Sequence, residues 1–154
     1  AGVTRGALYH HFADKQALLA AVVEAESEAV AREIDRAAAD TRSARDALVG
    51  GGAAFIAAMS TAGRTRLLLL DGPAVLGRAA MDGIDARHGN RTLKAGLAAA
   101  MREGALPRLP LDALTAQLAA MFDRAALAIE AGADAEDHRA VLAAVIDGLS
   151  RAAD

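Results

Sequence analysis

The sequence predicts an all-α fold, and three observations carry that reading. Alanine accounts for 43 of the 83 hydrophobic residues in a chain of 154, and alanine is the strongest intrinsic helix former. Residues that fill sheets are scarce, with three Phe, one Tyr and no Trp, so an all-β architecture lacks packing material. Between clusters of Gly, Pro and Asp, the larger apolar residues recur every three or four positions, the period of a helix face. Those larger residues number 40, enough for one core of ordinary domain size rather than two.

The elements follow in order. From Asp14, a helix cap, to about Ala39, the positions Leu18, Leu19, Val22, Val23, Val30 and Ile34 form an apolar stripe. Glu24, Glu26, Glu28, Glu33, Arg32 and Arg36 take the remaining faces and read as a solvated side, with Glu28 to Arg32 in the favourable i,i+4 order. Ser43 and Asp46 resemble a capping box that opens a second helix running to about Met59. The triplet Gly50 to Gly52 inside it costs roughly 1 kcal/mol per residue relative to alanine, which implies a kink or a close backbone crossing. Arg64 to Leu70 reads as a short helix or turn, and Pro73 fits the first turn of a following helix that carries Leu76, Met81 and Ile84. A helix from about Asn90 to Glu103 comes next. Pro110 or Asp112 starts another, with Leu114, Leu118, Met121, Ala125 and Ile129 in 4-3-4-4 spacing until Gly132. Asp134 and Asp137 mimic a capping box for the last helix, striped by Val141, Leu142, Val145, Ile146 and Leu149. The short connection predicts that these last two helices pack as antiparallel neighbours.

Composition narrows the function. There is no cysteine, hence no disulfide framework, thiol nucleophile or zinc-thiolate site. Apolar runs fall well short of the roughly 18–20 residues that span a bilayer, and no basic-then-apolar leader opens the chain. A soluble, cytoplasmic protein with no membrane partner is expected. The net charge of −3 argues against a domain whose whole surface binds nucleic acid, though not against a small basic contact surface. No nucleophile elbow, P-loop or dinucleotide fingerprint is present, so neither an enzyme nor a cofactor is expected. His10 and His11 point about 100° apart on a helix, and Asp85-Ala-Arg-His88 lacks the second acid-x-x-His pair that bundle metal sites need. No metal site is expected, and Asp85 to His88 reads as a solvated helix end.

The most informative stretch is Ala1-Gly-Val-Thr-Arg-Gly-Ala-Leu-Tyr-His-His-Phe-Ala-Asp-Lys-Gln-Ala-Leu-Leu19. It reads as a turn glycine at Gly2, a staple residue at Val3, a cap at Thr4 and one short helix with Leu8 and Phe12 inward. Val3, Thr4, Gly6, Leu8, Tyr9, His11, Phe12, Lys15 and Leu18 match, position by position, V-[S/T]-x-G-x-L-Y-x-H-F-x-x-K-x-x-L. That pattern resembles the recognition-helix signature of the TetR family of bacterial transcriptional regulators. Leu67 to Gly77 (LLLLDGPAVLG), followed by a long helix and a closing helix pair, is similar to the ligand-binding half of one branch of the family.

The resemblance implies an all-α protein with a truncated helix-turn-helix, followed by a helical ligand-binding and dimerisation domain. Residues 1–39 would hold the C-terminal part of the DNA-binding domain with its connecting helix, and residues 40–154 the regulatory domain. In the family about thirty residues precede the motif and supply the first arm of the helix-turn-helix. A chain beginning in the turn is therefore expected to hold operator DNA poorly by itself. The resemblance also implies a repressor that binds palindromic operator DNA as a homodimer and is released by a small-molecule inducer. Arg5, Gly6 and Ala7 are the expected base contacts, since a guanidinium takes both acceptors of a guanine edge. Thr4, Tyr9, His10, His11 and Lys15 are the expected phosphate contacts. Phe55, Met59, Leu68, Leu76, Met81, Leu97, Met101 and Phe122 are the expected lining of a pocket for a small apolar or amphipathic ligand. No buried charge that would narrow the ligand's class is identifiable. Leu114, Leu118, Met121, Ala125, Ile129, Val141, Val145 and Leu149 are the expected dimer face, closing a four-helix bundle. The alternative is a helical small-molecule-binding or dimerisation module without DNA binding.

Overall fold

The structure, a computed structural model, describes residues 14–151. Seven helical segments run through them: α1 Lys15–Ala39, α2 Ala44–Met59, α3 Arg64–Leu76, α4 Arg78–Arg87, α5 Gly89–Arg102, α6 Leu111–Glu130 and α7 Ala135–Arg151. No strand occurs among the described residues.

The expected caps form. Asp14 Oδ1 accepts from the Ala17 amide at 2.7 Å and Ser43 Oγ from the Asp46 amide at 3.1 Å. Asp134 Oδ1 serves the Glu136 and Asp137 amides at 2.7 and 3.2 Å. Each satisfies backbone donors that the first helical turn leaves without partners. A further cap comes from another helix: Glu103 Oε2 accepts from the Ala44 amide at 3.2 Å and ties the end of α5 to the start of α2.

One boundary departs from expectation. Asp71-Gly72-Pro73 does not separate two helices, because the chain stays helical through it by one π-turn over Leu67–Asp71, closed by the Gly72 amide on the Leu67 carbonyl. The wider turn absorbs Pro73, which has no amide to donate. Gly72 is needed there, since a Cβ would fall 2.9 Å from the Leu67 oxygen and 3.2 Å from Met81 Sδ. The true break is Gly77 at φ +82°, so Met81 and Ile84 belong to α4 and Leu76 to α3.

Two buried clusters organise the molecule. The first joins α2, α5, α6 and α7 through Leu48, Ile56, Leu97, Phe122, Leu142 and Ile146. The second joins α1, the end of α2, α3 and α4 through Val23, Val30, Met59, Leu68, Met81 and Ile84. Phe55 packs against both. The last two helices are less intimate than their short connection suggests, because α7 lies mainly along α2 and touches α6 only lightly. Its inward residues Leu142 and Ile146 fill the first core instead of pairing with α6 alone.

Among the described residues no single helix is long and apolar enough to cross a membrane. The bent pair α2 and α3, at 99°, passes that test only when taken together.

Candidate functional site

Between the two cores lies a cavity of about 330 Å³, inside the range of small-molecule sites. Its wall is contributed by all seven helical segments, Val30 and Ile34 of α1 among them. Small residues form much of its wall. Gly51 and Gly52 of α2, Gly96 of α5 and Ala116, Ala119 and Ala120 of α6 all face it. A Cβ on Gly52 would fall 2.8 Å from Phe122 Cε1, and one on Gly51 3.3 Å from Ile34 Cγ2. Gly51 and Gly52 thus form a close crossing that lets α1 and the Phe122 ring approach α2. Phe122 meets Phe55 edge to face with ring centroids 5.6 Å apart, a preferred aromatic geometry.

Of the pocket residues expected from sequence, Phe55, Met59, Leu68 and Phe122 line this cavity, and Leu76, Met81, Leu97 and Met101 do not. Leu97 is 1 % exposed within the first core, and Met101 packs on that core's edge. Met81 fills the space beside Gly72, and Leu76 packs against the second core. Soft, adaptable side chains mark packed helix faces in general, so they do not distinguish the face that borders a void.

The other end of the cavity is acidic. Arg78, Asp82 and Asp85 of α4, Asp123 of α6, and Asn90 and Thr92 of α5 complete the lining. Arg78 reaches Asp82 at 3.9 Å on the exposed side. Burial, and then the charge of Asp85, push the Asp123 carboxyl up to about 6 against the opposing pull of Arg78. Asp85 is likewise raised, by burial first and by Asp82 next. Asp85 was expected at a solvated helix end, but it is half-buried at the cavity wall. Half-buried carboxyls do face the cavity, and the sequence conceals them because a carboxyl's burial depends on which helices cover it.

The acidic face of α1 is also not simply solvated. Arg64, whose side chain is 10 % exposed, donates to Glu26 at 2.8 Å, Glu33 at 3.1 Å and the Ala58 carbonyl at 2.8 Å. Glu24 takes Arg87 Nη2 at 2.5 Å together with His88 Nε2, and these hydrogen bonds lower its carboxyl to about 2. Arg91 reaches Asp35 at 3.3 Å. Only Glu28 with Arg32, 2.9 Å apart on the surface, matches the expected exposed pair.

Of the expected DNA-facing residues, Lys15 is exposed at the first turn of α1. Thr4, Arg5, Gly6, Ala7, Tyr9, His10 and His11 lie outside the described residues. Of the expected dimer face, Leu118 and Ala125 are each 3 % exposed inside their own chain, so they have no surface to offer a second copy. Leu114, Ile129, Val145 and Leu149 are partly buried against the first core. Met121 and Val141 are open, at 36 % and 58 % exposure. Ala140 and Ala144 are exposed beside Val141 on α7. Of the stripe on α6, Leu118 and Ala125 belong to the monomer's own core, whereas Met121 on its edge stays open.

No curated relative matches the chain. Two family models do. Residues 1–22 match the model described as bacterial regulatory proteins, tetR family, and residues 45–154 match the tetracyclin repressor-like, C-terminal domain. The recognition-helix signature at one end, and a C-terminal match spanning more than half the chain, place this protein in the TetR family of bacterial regulators.

Proposed function

We propose that this protein is a ligand-responsive transcriptional repressor that binds palindromic operator DNA as a homodimer and leaves it when a small molecule fills the cavity between the two cores. One observation carries the reading: the helix that continues from the recognition segment, α1, forms part of the cavity wall through Ser27, Val30, Ile34 and Ala38. A ligand there touches the element that carries residues 1–14. In this reading residues 1–39 carry the DNA-facing half and residues 40–154 the regulatory half. Arg5, with Gly6 and Ala7, reads base edges, and Thr4, Tyr9, His10, His11 and Lys15 hold phosphates. Release requires the ligand to bind more tightly to the conformation in which paired recognition helices no longer match successive major grooves.

The dimer face is the exposed side of α6 and α7 around Met121, Ala140, Val141 and Ala144, where small residues allow close approach. Selecting duplexes from a random pool with the full-length protein tests the reading. The expected result is a palindromic consensus whose half-sites lie one helical turn apart. Arg5→Ala should lose preference at one position of each half-site, and Lys15→Ala should weaken binding to every sequence and reduce its salt dependence. In sedimentation, Met121→Glu with Val141→Glu should give folded monomer. Recovery of no enriched sequence would favour a ligand-binding module that does not act on DNA.

A further inference from the structure

The geometry points to a cationic amphipath as the cavity's ligand, its positive group seated between Asp85 and Asp123 and its apolar body lying against Phe55, Phe122 and Met59. This deepens the inducer-site reading above and rests on it.

The acidic end holds three carboxylates, Asp82, Asp85 and Asp123, against one guanidinium, Arg78. Arg78 lies 3.9 Å from Asp82 with its side chain 89 % exposed, so the cation present is turned to solvent. The carboxyl groups of Asp85 on α4 and Asp123 on α6 take part in no hydrogen bond or ion pair among the described residues, although both line the cavity and both are half-buried. Charge held in an apolar cavity without a partner is unfavourable, and the raised carboxyl of Asp123 is the sign of it. A neutral guest leaves that charge uncompensated, an anionic guest adds to it, and a cation removes it.

The rest of the lining suits the rest of such a molecule. The edge-to-face pair Phe55 and Phe122 supplies aromatic surface that attracts cations as well as apolar groups. Thr92, 9 % exposed, is also in the wall, and its hydroxyl has no hydrogen-bond partner among the described residues. The volume of about 330 Å³ fits an organic body. Among the described residues no group of three His, Asp or Glu side chains is placed to hold a bare metal ion.

Three probes with closely similar phenylalkyl bodies test the inference by calorimetry on the purified chain: trimethyl(4-phenylbutyl)ammonium, 4-phenyl-1-butanol and 5-phenylvalerate. The cation should bind roughly tenfold or more tightly than the alcohol, and the carboxylate weakest. Asp123→Asn should bring the cation to within about twofold of the alcohol and leave the alcohol's affinity in place, with Asp85→Asn acting in the same direction. Cation affinity should also rise as pH increases through about 6, where Asp123 loses its proton, with Arg78, Asp82, Asp85 and His88 the charged or titratable groups around it. The wall contributed by α1, α2, α3 and α7 is uncharged. Equal binding of cation and alcohol, tightest binding of the carboxylate, or a preference that survives both substitutions overturns the inference alone. Failure of all three probes to bind overturns it together with the reading of the cavity as an inducer site.

Discussion

The two cores that flank the cavity are held together differently. The first, among α2, α5, α6 and α7, is a contiguous apolar cluster in which Ile56, Leu97 and Ala100 are at or below 1 % exposure. Its ion pairs are peripheral, Arg45 with Asp147 at 2.5 Å and Lys94 with Asp112 at 2.6 Å. The second, where α1 meets α3 and α4, is smaller and ringed by polar ties to α1: Arg64 to Glu26 and Glu33, Arg87 and His88 to Glu24, Arg91 to Asp35. Close-packed apolar surfaces resist small displacements. Arg64 is largely covered, but the exposed pairs of Arg87 with Glu24 and Arg91 with Asp35 exchange with water at a cost of about 1 kcal/mol or less each. The cavity therefore has one stiff wall and one whose outer fastenings are exchangeable, and the exchangeable wall carries α1.

The largest effect that sharpens this contrast comes from the stiff wall. Leu97→Ala should destabilise the protein by about 2–5 kcal/mol, because a fully buried leucine leaves a void that its surroundings cannot close. Urea unfolding measures it, and a loss below about 1 kcal/mol would mean that the first core is not the rigid partner. A smaller effect belongs to the fastenings. Arg64→Met should cost about 1–3 kcal/mol by removing the guanidinium that donates to Glu26, Glu33 and the Ala58 carbonyl. Hydrogen exchange should then accelerate along α1 and α3 while α5 and α7 stay protected. Uniform acceleration would erase the distinction between the walls.

Much of this arrangement is legible in the sequence, and the remainder fails for identifiable reasons. Local signals act within one turn, so Asp14, Ser43 and Asp134 mark their helices correctly and Gly132, at φ +102°, ends α6. Periodicity finds the buried stripe on each helix, but it does not say whether a stripe faces its own chain or another copy. Leu118 and Ala125 are inward for that reason, while Met121 and Val141 stay open. The cavity is hardest to see because small residues line much of it. Gly51, Gly52 and Gly96 border it, and as a sequence feature the glycine triplet registers only as poor helix propensity. Asp85 and Asp123 come to one cavity from α4 and α6, a proximity between residues far apart in the chain that no local pattern encodes.

The smallest effects separate the two regions by the sign of their pH dependence. Asp123 faces the cavity with its carboxyl raised to about 6 from an ordinary 3.8, so the folded state holds that proton more firmly than the unfolded one. Stability should then fall as pH rises from about 4 to about 6, and Asp123→Asn should raise it at pH 7 by roughly 1–2 kcal/mol, less than the full shift would give because the group is not completely buried. Glu24 fastens α1 with its carboxyl lowered to about 2 from 4.5, chiefly by hydrogen bonds from Arg87 and then His88. Its contribution is complete above about pH 4.5 and is lost as pH falls toward 2. With a side chain 36 % exposed, Glu24→Gln should lower stability at pH 7 by about 0.5 kcal/mol or less, and less again at high salt. Between pH 4.5 and 6 the two groups therefore act separately: the difference between Asp123→Asn and its parent changes there, and that between Glu24→Gln and its parent does not. Thermal unfolding of both variants across that interval checks this. A flat difference for Asp123→Asn would place its carboxylate in water and leave the cavity without its acidic end, and a steep one for Glu24→Gln would mean that the α1 fastening is buried far more deeply than its exposure allows.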